Sequence, residues 1–396
     1  MRIITFISII GSLLLLQALT FSSDDEWGFF GHRKLNHLAV FTCPPDLIGF
    51  YKKHIDYLTD HAVDPDMRRH ASKFEAIRHY IDIDHWGEFP FNNVPRNYPE
   101  AIVQYGTFTM DVNGAQFSSR ANKEGNHYVF RDKDLSVSVP VDTFLKFFKD
   151  SIFRHRYDDV FGRSFSDGAI HVIPGLRSVS VRDSFSDYGI VPFALLESHF
   201  RLVRAFEDEN IPLILKISAD YGHYIADAHV PLHTTENYNG QLTGQDGIHA
   251  FWESRIPELY ADKEFDFFVG KAEYIKDLDE FFWDVVLDSH AEVDDVLGEE
   301  MRLRKEFPQD RQFCYDERNG RTVRIQCPEF AKAYKESMGD MVEQRFRETI
   351  KSIGSLWYTA WVQAGRPILE GGNSDYISEN YDTIRVNGRV IGREHR

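Results

Sequence analysis

The feature that most constrains the fold is a long apolar segment, IPLILKISADYGHYIADAHVP at 211–231, which carries few polar residues. Read as a helix, it is apolar almost all round except for Asp220, His223 and Asp227, which lie on one face at spacings of three and four. A buried carboxylate or imidazole without a partner is unfavourable by several kcal/mol. The stripe is therefore either a satisfied polar patch in a helix bundle or one side of a metal site.

A second pair of the same kind follows in GIHAFWES, where His249 and Glu253 again stand four residues apart. His233 comes just after Pro231, where the first helix should stop. Imidazole and carboxylate groups without thiolates are the ligand set of a hydrolytic zinc cluster. Further candidates of these types upstream are His32, Asp64 and His79.

These residues together resemble the superfamily of zinc-dependent phospholipases C and single-strand-specific nucleases of the S-one/P-one type. The nuclease pattern begins with a Trp, a His five residues later, and an Asp and a His fifteen apart. H-x3-D-x5-H and a final H-x3-D follow. The matching residues here are Trp27 and His32, Asp64 and His79, His223, Asp227 and His233, and His249 with Glu253 in place of the last Asp.

The resemblance implies three zinc ions and a metal-bridging hydroxide that attacks phosphorus in line, with Asp64 and Asp227 as the catalytic carboxylates. Asp227 would bridge two of the zinc ions. The implied ligands are Asp64, His79, His223 and Asp227 for the first zinc, His233, His249 and Glu253 for the second, and Asp227, His32 and the amino and carbonyl groups of Trp27 for the third.

The substrate is open between two phosphodiesters. The nucleases carry an aromatic residue directly after the His that matches His79, and an Asp three residues after that His. Both residues contact a nucleobase. Tyr80 and Asp82 hold these positions, so that Tyr80 would stack on a base and Asp82 would accept hydrogen bonds from it. The alternative is a core Tyr and a surface Asp. The preferred reading is a single-strand nuclease (an endonuclease or nucleotidase).

Other features favour a phospholipase C or leave the choice open. Glu253 is the residue type that bacterial phospholipases C use at the last position. The nucleases also carry a basic residue three positions after the first Asp, where this chain has Met67, with Arg68 and Arg69 next to it. Another alternative is a non-catalytic zinc-binding surface protein, which the complete ligand set argues against.

The charge balance limits the partners. The net charge of −17 gives the chain no general attraction for nucleic acid or for an anionic membrane. Three divalent ions would add roughly six positive charges at the site. We therefore expect a nucleic-acid, nucleotide or phospholipid substrate drawn by metal, and we infer no obligate protein partner.

The first residues, MRIITFISIIGSLLLLQALTFSS at 1–23, are typical of a secretory signal peptide, and no lipoprotein Cys follows them. We expect a secreted or periplasmic protein. Because Asp24, Asp25 and Glu26 precede Trp27, zinc binding by the Trp27 amino group requires further trimming to that residue.

The remaining patterns predict one mainly all-α, multi-helix domain over 27–369, with a polar tail at 370–396. Apolar spacing predicts helices over 193–206, with an apolar face that includes Phe193 and Phe200, and over 342–361. The stretch at about 105–186 is expected to be an irregular insertion with a few strands, which forms a lid or pocket wall. Cys314 and Cys327 flank Asn319-Gly320, which predicts a small β-hairpin at about 314–327 closed by a disulfide.

Overall fold

The computed structural model describes residues 29–69, 74–156, 158–165, 171–318 and 321–369. Trp27, the predicted signal peptide, the polar tail and the Asn319-Gly320 turn lie outside these ranges. Within them, no helix is both long enough and apolar enough to cross a membrane.

Helices carry most of the metal-ligand candidates and form most of the core. The helices before the insertion are α1 (Phe29–Ala39), α2 (Pro45–Lys53), α3 (Ile55–Asp60), α4 (Asp64–Arg68) and α5 (Tyr98–Tyr105). One further helix, α6 (Val141–Phe147), belongs to the insertion. The helices after it are α7 (Val191–Glu207), α8 (Ile211–Ala228), α9 (Ile248–Ala250), α10 (Ile256–Glu264), α11 (Leu278–Ala291), α12 (Val293–Glu306), α13 (Pro328–Ser337) and α14 (Met341–Gln363).

The apolar segment singled out in the sequence forms α8, the central helix. Its first turn is capped by Asn210, whose Oδ1 accepts a hydrogen bond from the Leu213 backbone N–H at 3.2 Å. The helix packs against α7, α1 and α14. Trp357 of α14 donates from Nε1 to the Ser218 carbonyl at 3.1 Å. Neighbours on several sides explain why this helix is apolar nearly all round.

The helices predicted at 193–206 and 342–361 are confirmed as α7 and α14. The predicted apolar face of α7 is wrong at Phe200, which is 59% exposed, although Phe193 is buried. The buried side of the helix is centred on Leu195, His199 and Leu202. The helical spacing was predicted correctly, but the buried face was placed on the wrong side of the helix. The reason is that His199 is polar and was not expected in the core.

The mainly all-α assignment is wrong. Helices account for 58% of the structure, but strands account for 16% and form three sheets. One sheet has the order β2-β1-β7-β6 and another the order β3-β4-β5, with antiparallel neighbours throughout. The strands of these two sheets are β1 (Thr107–Val112), β2 (Ala115–Arg120), β3 (Asn122–Glu124), β4 (His127–Asp132), β5 (Leu135–Pro140), β6 (Val160–Ser164) and β7 (Leu176–Arg182).

The insertion forms ordered sheets because its short strands alternate in burial and meet at tight turns. In β1, Phe108 and Met110 are buried while the residues between them are partly exposed. Asn113 and Gly114 join β1 to β2 with φ values of 53° and 87°, the left-handed conformation that two-residue hairpin turns require. Phe108, Phe130 and Phe144 pack together beneath the sheets.

The predicted hairpin is confirmed as β8 (Phe313–Arg318) paired with β9 (Arg321–Gln326). The predicted disulfide joins Cys314 to Cys327. Cys43 is buried and carries a free thiol.

A close approach between α8 and α1 gives the first testable prediction. A Cβ built on Gly222 would lie 1.9 Å from Oδ1 of Asn36, whose Nδ2 donates to the Leu58 and Ala219 carbonyls. Gly222→Ala is expected to lower the free energy of unfolding by about 1–3 kcal/mol, because Asn36 has no room to give way without losing these bonds. Chemical denaturation measures the change.

Gly298→Ala in α12 is the matched control, since a Cβ there would meet nothing within 4 Å. It is expected to raise the free energy of unfolding by about 0.5–1 kcal/mol. Equal stabilities of the two variants would contradict the packing described here.

Candidate metal centre

Several parts of the chain that are distant in sequence bring the candidate ligands together inside the helical region. His223 and Asp227 project from α8, and His32 comes from α1. His233 lies in the short 3-10 turn Pro231–Thr234 after α8, and Glu253 lies in a π-helical turn, Phe251–Arg255, that follows α9. Three groups of side chains among the described residues could hold metal ions: His32, His223 and Asp227; Asp66, His79 and His223; and His233, His249 and Glu253.

The group formed by Asp66, His79 and His223 surrounds the Oδ2 atom of Asp227. This atom lies 2.8 Å from Nδ1 of His79 and 3.3 Å from Nε2 of His223. Oδ1 of Asp66 is 3.6 Å from the same His79 atom and 3.7 Å from the same His223 atom. Two carboxylates and two imidazoles therefore face a common point.

The other carboxylate oxygen of Asp227 belongs to the group formed by His32, His223 and Asp227. Oδ1 lies 3.4 Å from Nε2 of His32, whose ring stacks on His223 with centroids 3.9 Å apart. The same His32 nitrogen is 3.5 Å from Oε1 of Glu253. His32 thus connects Asp227 to the third group.

The third group is centred on Oε2 of Glu253. It lies 2.8 Å from Nε2 of His249 and 3.5 Å from Nε2 of His233. The three groups form one continuous cluster, since Asp227 and Glu253 both reach His32.

Backbone carbonyls fix the orientation of three of these histidines. Nδ1 of His223 lies 2.8 Å from the Ala62 oxygen, and Nδ1 of His233 lies 2.6 Å from the His79 oxygen. Nδ1 of His249 lies 3.1 Å from the Tyr238 oxygen. Because a carbonyl only accepts, each Nδ1 carries the proton, and the Nε2 atom that faces the cluster is the nitrogen available as a ligand.

The charges of the buried groups depend on one another. Burial alone would raise the pKa of Asp227, but His223 and His233 hold it well below its usual range. Burial would lower the pKa of His223, but Asp227 and Asp66 raise it to about 9. Burial and Arg69 lower the pKa of His79 to about 4. The Asp227 carboxylate is thus held ionised by neighbouring imidazoles, and a metal ion can replace the proton on His223.

The donor set fits borderline divalent metals. It consists of imidazole nitrogens and carboxylate oxygens with no thiolate, which is typical of zinc in hydrolytic sites. Two ring nitrogens on the outer side of the cluster, Nδ1 of His32 and Nε2 of His79, are buried and have no hydrogen-bond partner among the described residues. All ligand atoms within each group lie within 4.8 Å of one another.

The structure places Asp66, and not Asp64, in the cluster. Oδ2 of Asp64 lies 2.8 Å from Nδ1 of His61. Residues two apart on a helix point to different sides, so only one of these two aspartates can face His79. The fifteen-residue spacing selected the wrong one, and the Asp64–His79 assignment is corrected to Asp66–His79.

This correction also changes the position of the basic residue. Arg69 stands three residues after Asp66, and its Nη1 lies 3.5 Å from Oδ1 of Asp66. Its Nη2 is buried without a hydrogen-bond partner in the described part of the chain. The spacing from Asp66 to Arg69 is the sequence signal that could have identified Asp66.

A charged network behind the cluster holds α4. Arg68 contacts Asp220 of α8 at 3.0 Å and Glu75 at 3.5 Å. Tyr224, on the turn of α8 after His223, donates a short hydrogen bond to Glu75. These contacts tie the Asp66 segment to the helix that carries His223 and Asp227.

The two residues predicted to bind a base are both buried. Tyr80 is fully buried, and its hydroxyl donates to the Asp187 carbonyl at 3.1 Å. In this conformation it presents no face on which a base could stack. Asp82 is 6% exposed, and its backbone N–H donates to the Tyr188 carbonyl at 2.7 Å.

A partly exposed aromatic pair lies beyond Asp82, and no sequence pattern indicated it. The His85 and Tyr188 rings stack with centroids 3.4 Å apart, and Nδ1 of His85 lies 3.0 Å from Oε1 of Glu236. Asp84, the residue before His85, holds the segment after His233, because its carboxylate accepts a hydrogen bond from Thr235 Oγ1 at 2.6 Å. Thr235 is two residues from His233, so this pair is connected to the third group.

Comparison with known proteins adds no family assignment. No protein-family model matches the chain, and no curated protein matches it.

Two neighbouring substitutions test the corrected ligand. Asp66→Asn is expected to raise the dissociation constant of one bound metal ion at least tenfold, because a carboxylate facing His79 and His223 is lost. Asp64→Asn, the matched control two residues away, should leave all bound metal in place. Metal content after equilibrium dialysis, measured by elemental analysis, distinguishes the two. Loss of metal in Asp64→Asn alone would contradict this assignment.

Proposed function

We propose that this chain is an exported phosphoester hydrolase that uses three zinc ions held by the cluster. The observation that carries the proposal is the position of Asp227, which directs one carboxylate oxygen to His32 and the other to His79 and His223. A carboxylate placed in this way is suited to bridging two metal ions. The disulfide is compatible with a compartment outside the cytoplasm.

The residues of the chain have distinct roles in this proposal. Asp227 and Glu253 supply the negative charge that keeps divalent ions together, and the three carbonyl-bound histidines present Nε2 toward them. Arg69 lies beside Asp66, where its positive charge would attract a phosphate group. Bound zinc ions would activate water and neutralise charge on the phosphate.

Single-stranded nucleic acid or a nucleotide is the substrate that we propose first. The His85–Tyr188 pair supports it, since a partly exposed aromatic surface can stack on a base. In this proposal the pair takes over the base contact that the sequence assigned to Tyr80.

A phospholipid is the alternative substrate. The burial of Tyr80 removes one nuclease-like feature, and Glu253 serves as the last carboxylate. The side chain of Met67, next to Asp66, is exposed at 58% and could contact an acyl chain. The same cluster would serve either reaction, because both break a bond to phosphorus.

Substitution of Asp227 tests the shared carboxylate. Asp227→Asn is expected to lower kcat at least a thousandfold, because the amide cannot supply two anionic oxygens to neighbouring metal ions. Asp277→Asn is the matched control, since Asp277 caps α11 at a distance from the cluster and an amide oxygen retains the cap. Near-wild-type turnover by a folded, metal-loaded Asp227→Asn protein would refute the bridged cluster.

A paired assay separates the substrate classes. Purified protein of known metal content is offered single-stranded DNA and RNA in one arm and phosphatidylcholine in the other, each with and without a chelator. We expect chelator-sensitive cleavage of nucleic acid. Cleavage of phosphatidylcholine alone would assign the phospholipase reaction instead. Zinc-loaded protein that is inactive in both arms would point to a different phosphoester, and protein that binds no zinc would refute the proposal.

A further inference from the structure

A separate cavity of about 230 Å³ lies where the insertion meets the helical region. Its walls come from the segment before α5, from α7, from the first turn of α11 and from Arg156 at the end of a short helical turn in the insertion. A single water needs only ~10–15 Å³ measured in this way, so the cavity has room for a small organic molecule. None of the metal-ligand candidates lines it.

Two arginines reach this cavity with their guanidinium groups held by aromatic rings. Arg96 lies over the Trp283 ring at 4.1 Å from its centroid. Arg156 lies 4.5 Å from the Phe153 centroid and 5.4 Å from that of Tyr98. Stacking on rings fixes the direction of these cations before any ligand arrives, which lowers the entropic cost of binding an anion.

The charge of Arg96 is incompletely matched. Its Nη1 atom is buried and has no hydrogen-bond partner within the described residues. Burial lowers the pKa of Arg96, and the nearby Asp284 only partly opposes this effect. Arg96 lines the cavity, so its guanidinium can pair there with an anionic ligand.

Arg156 has a partner that a ligand could replace. Its Nη2 lies 3.4 Å from Oε2 of Glu197, which also lines the cavity. Asp279 adds a second acidic group. The two cations and two carboxylates cancel in formal charge, which disfavours a polyanion such as nucleic acid, and a single carboxylate can bind by displacing Glu197 from Arg156.

Apart from Asn97, the remaining walls are mostly apolar. Ile190, Phe193 and Leu196 line the cavity, and Phe200, exposed at 59%, stands at its edge. We propose that this cavity binds an amphiphilic monoanion, an aliphatic chain of medium length that ends in a carboxylate, with the carboxylate on Arg96 and Arg156 and the chain along α7. This site does not depend on the proposed hydrolase function.

Calorimetric titration of the metal-loaded full chain with octanoate tests the proposal. Octanol is the neutral match, and acetate carries the head group alone. Octanoate is expected to bind at least tenfold more tightly than either. Equal affinities for octanoate and octanol, or no octanoate binding at millimolar concentration, would overturn the proposal.

Substitutions of the cationic and the acidic residues, which should change octanoate affinity in opposite directions, locate the site. Arg96→Gln and Arg156→Gln should each weaken octanoate binding at least fivefold. Glu197→Gln should strengthen it at least twofold, because it removes the carboxylate that competes for Arg156. A cavity that attracts octanoate only through apolar contact would respond to none of these changes.

Asp227→Asn distinguishes this site from the metal cluster. Octanoate affinity should be unchanged in that variant, and its loss would place the carboxylate on the metal ions and overturn the assignment. This control also separates the two proposals, because an inactive hydrolase that still binds octanoate through Arg96 leaves the cavity site standing.

Discussion

The burial of the Asp227 carboxylate is the constraint on which the rest of the structure depends. A charge in that position is strongly unfavourable unless cations or hydrogen-bond donors surround it. Three histidines meet this requirement: His223 from the same helix, and His32 from α1 and His79 from the segment after α4, which are both distant in sequence. The surrounding helices are thereby fixed in their relative positions by polar contacts as well as by apolar packing.

Much of the cluster could be predicted from the sequence because helical spacing is a local property. His223 with Asp227 and His249 with Glu253 are separated by four residues, and in each pair the side chains point to the same place. The number of residues between two different helices does not determine whether their side chains point to the same place. Asp64 and Asp66 are equally good donors, and only the orientation of α4, held by Arg68 on Asp220 and Glu75, decides that Asp66 faces His79.

The insertion was harder to predict for a related reason. Its strands are short, and their burial depends on partners elsewhere in the chain, as when β1 pairs with β7 across more than sixty residues. Tyr80 illustrates the same limit, since its neighbour His79 is a ligand candidate while Tyr80 itself is buried against Asp187 from the end of the insertion. The insertion also supplies Arg156 to the second cavity, and the segment that follows it supplies Tyr188 to the aromatic pair with His85.

The most direct test of the account is anomalous X-ray diffraction at the zinc absorption edge from crystals of the zinc-saturated protein. We expect three peaks in one cluster: one next to Asp66, His79 and His223, one next to His32 and Asp227, and one next to His233, His249 and Glu253. Crystals that bind zinc only at surface residues and leave these buried side chains in direct contact with one another would contradict it.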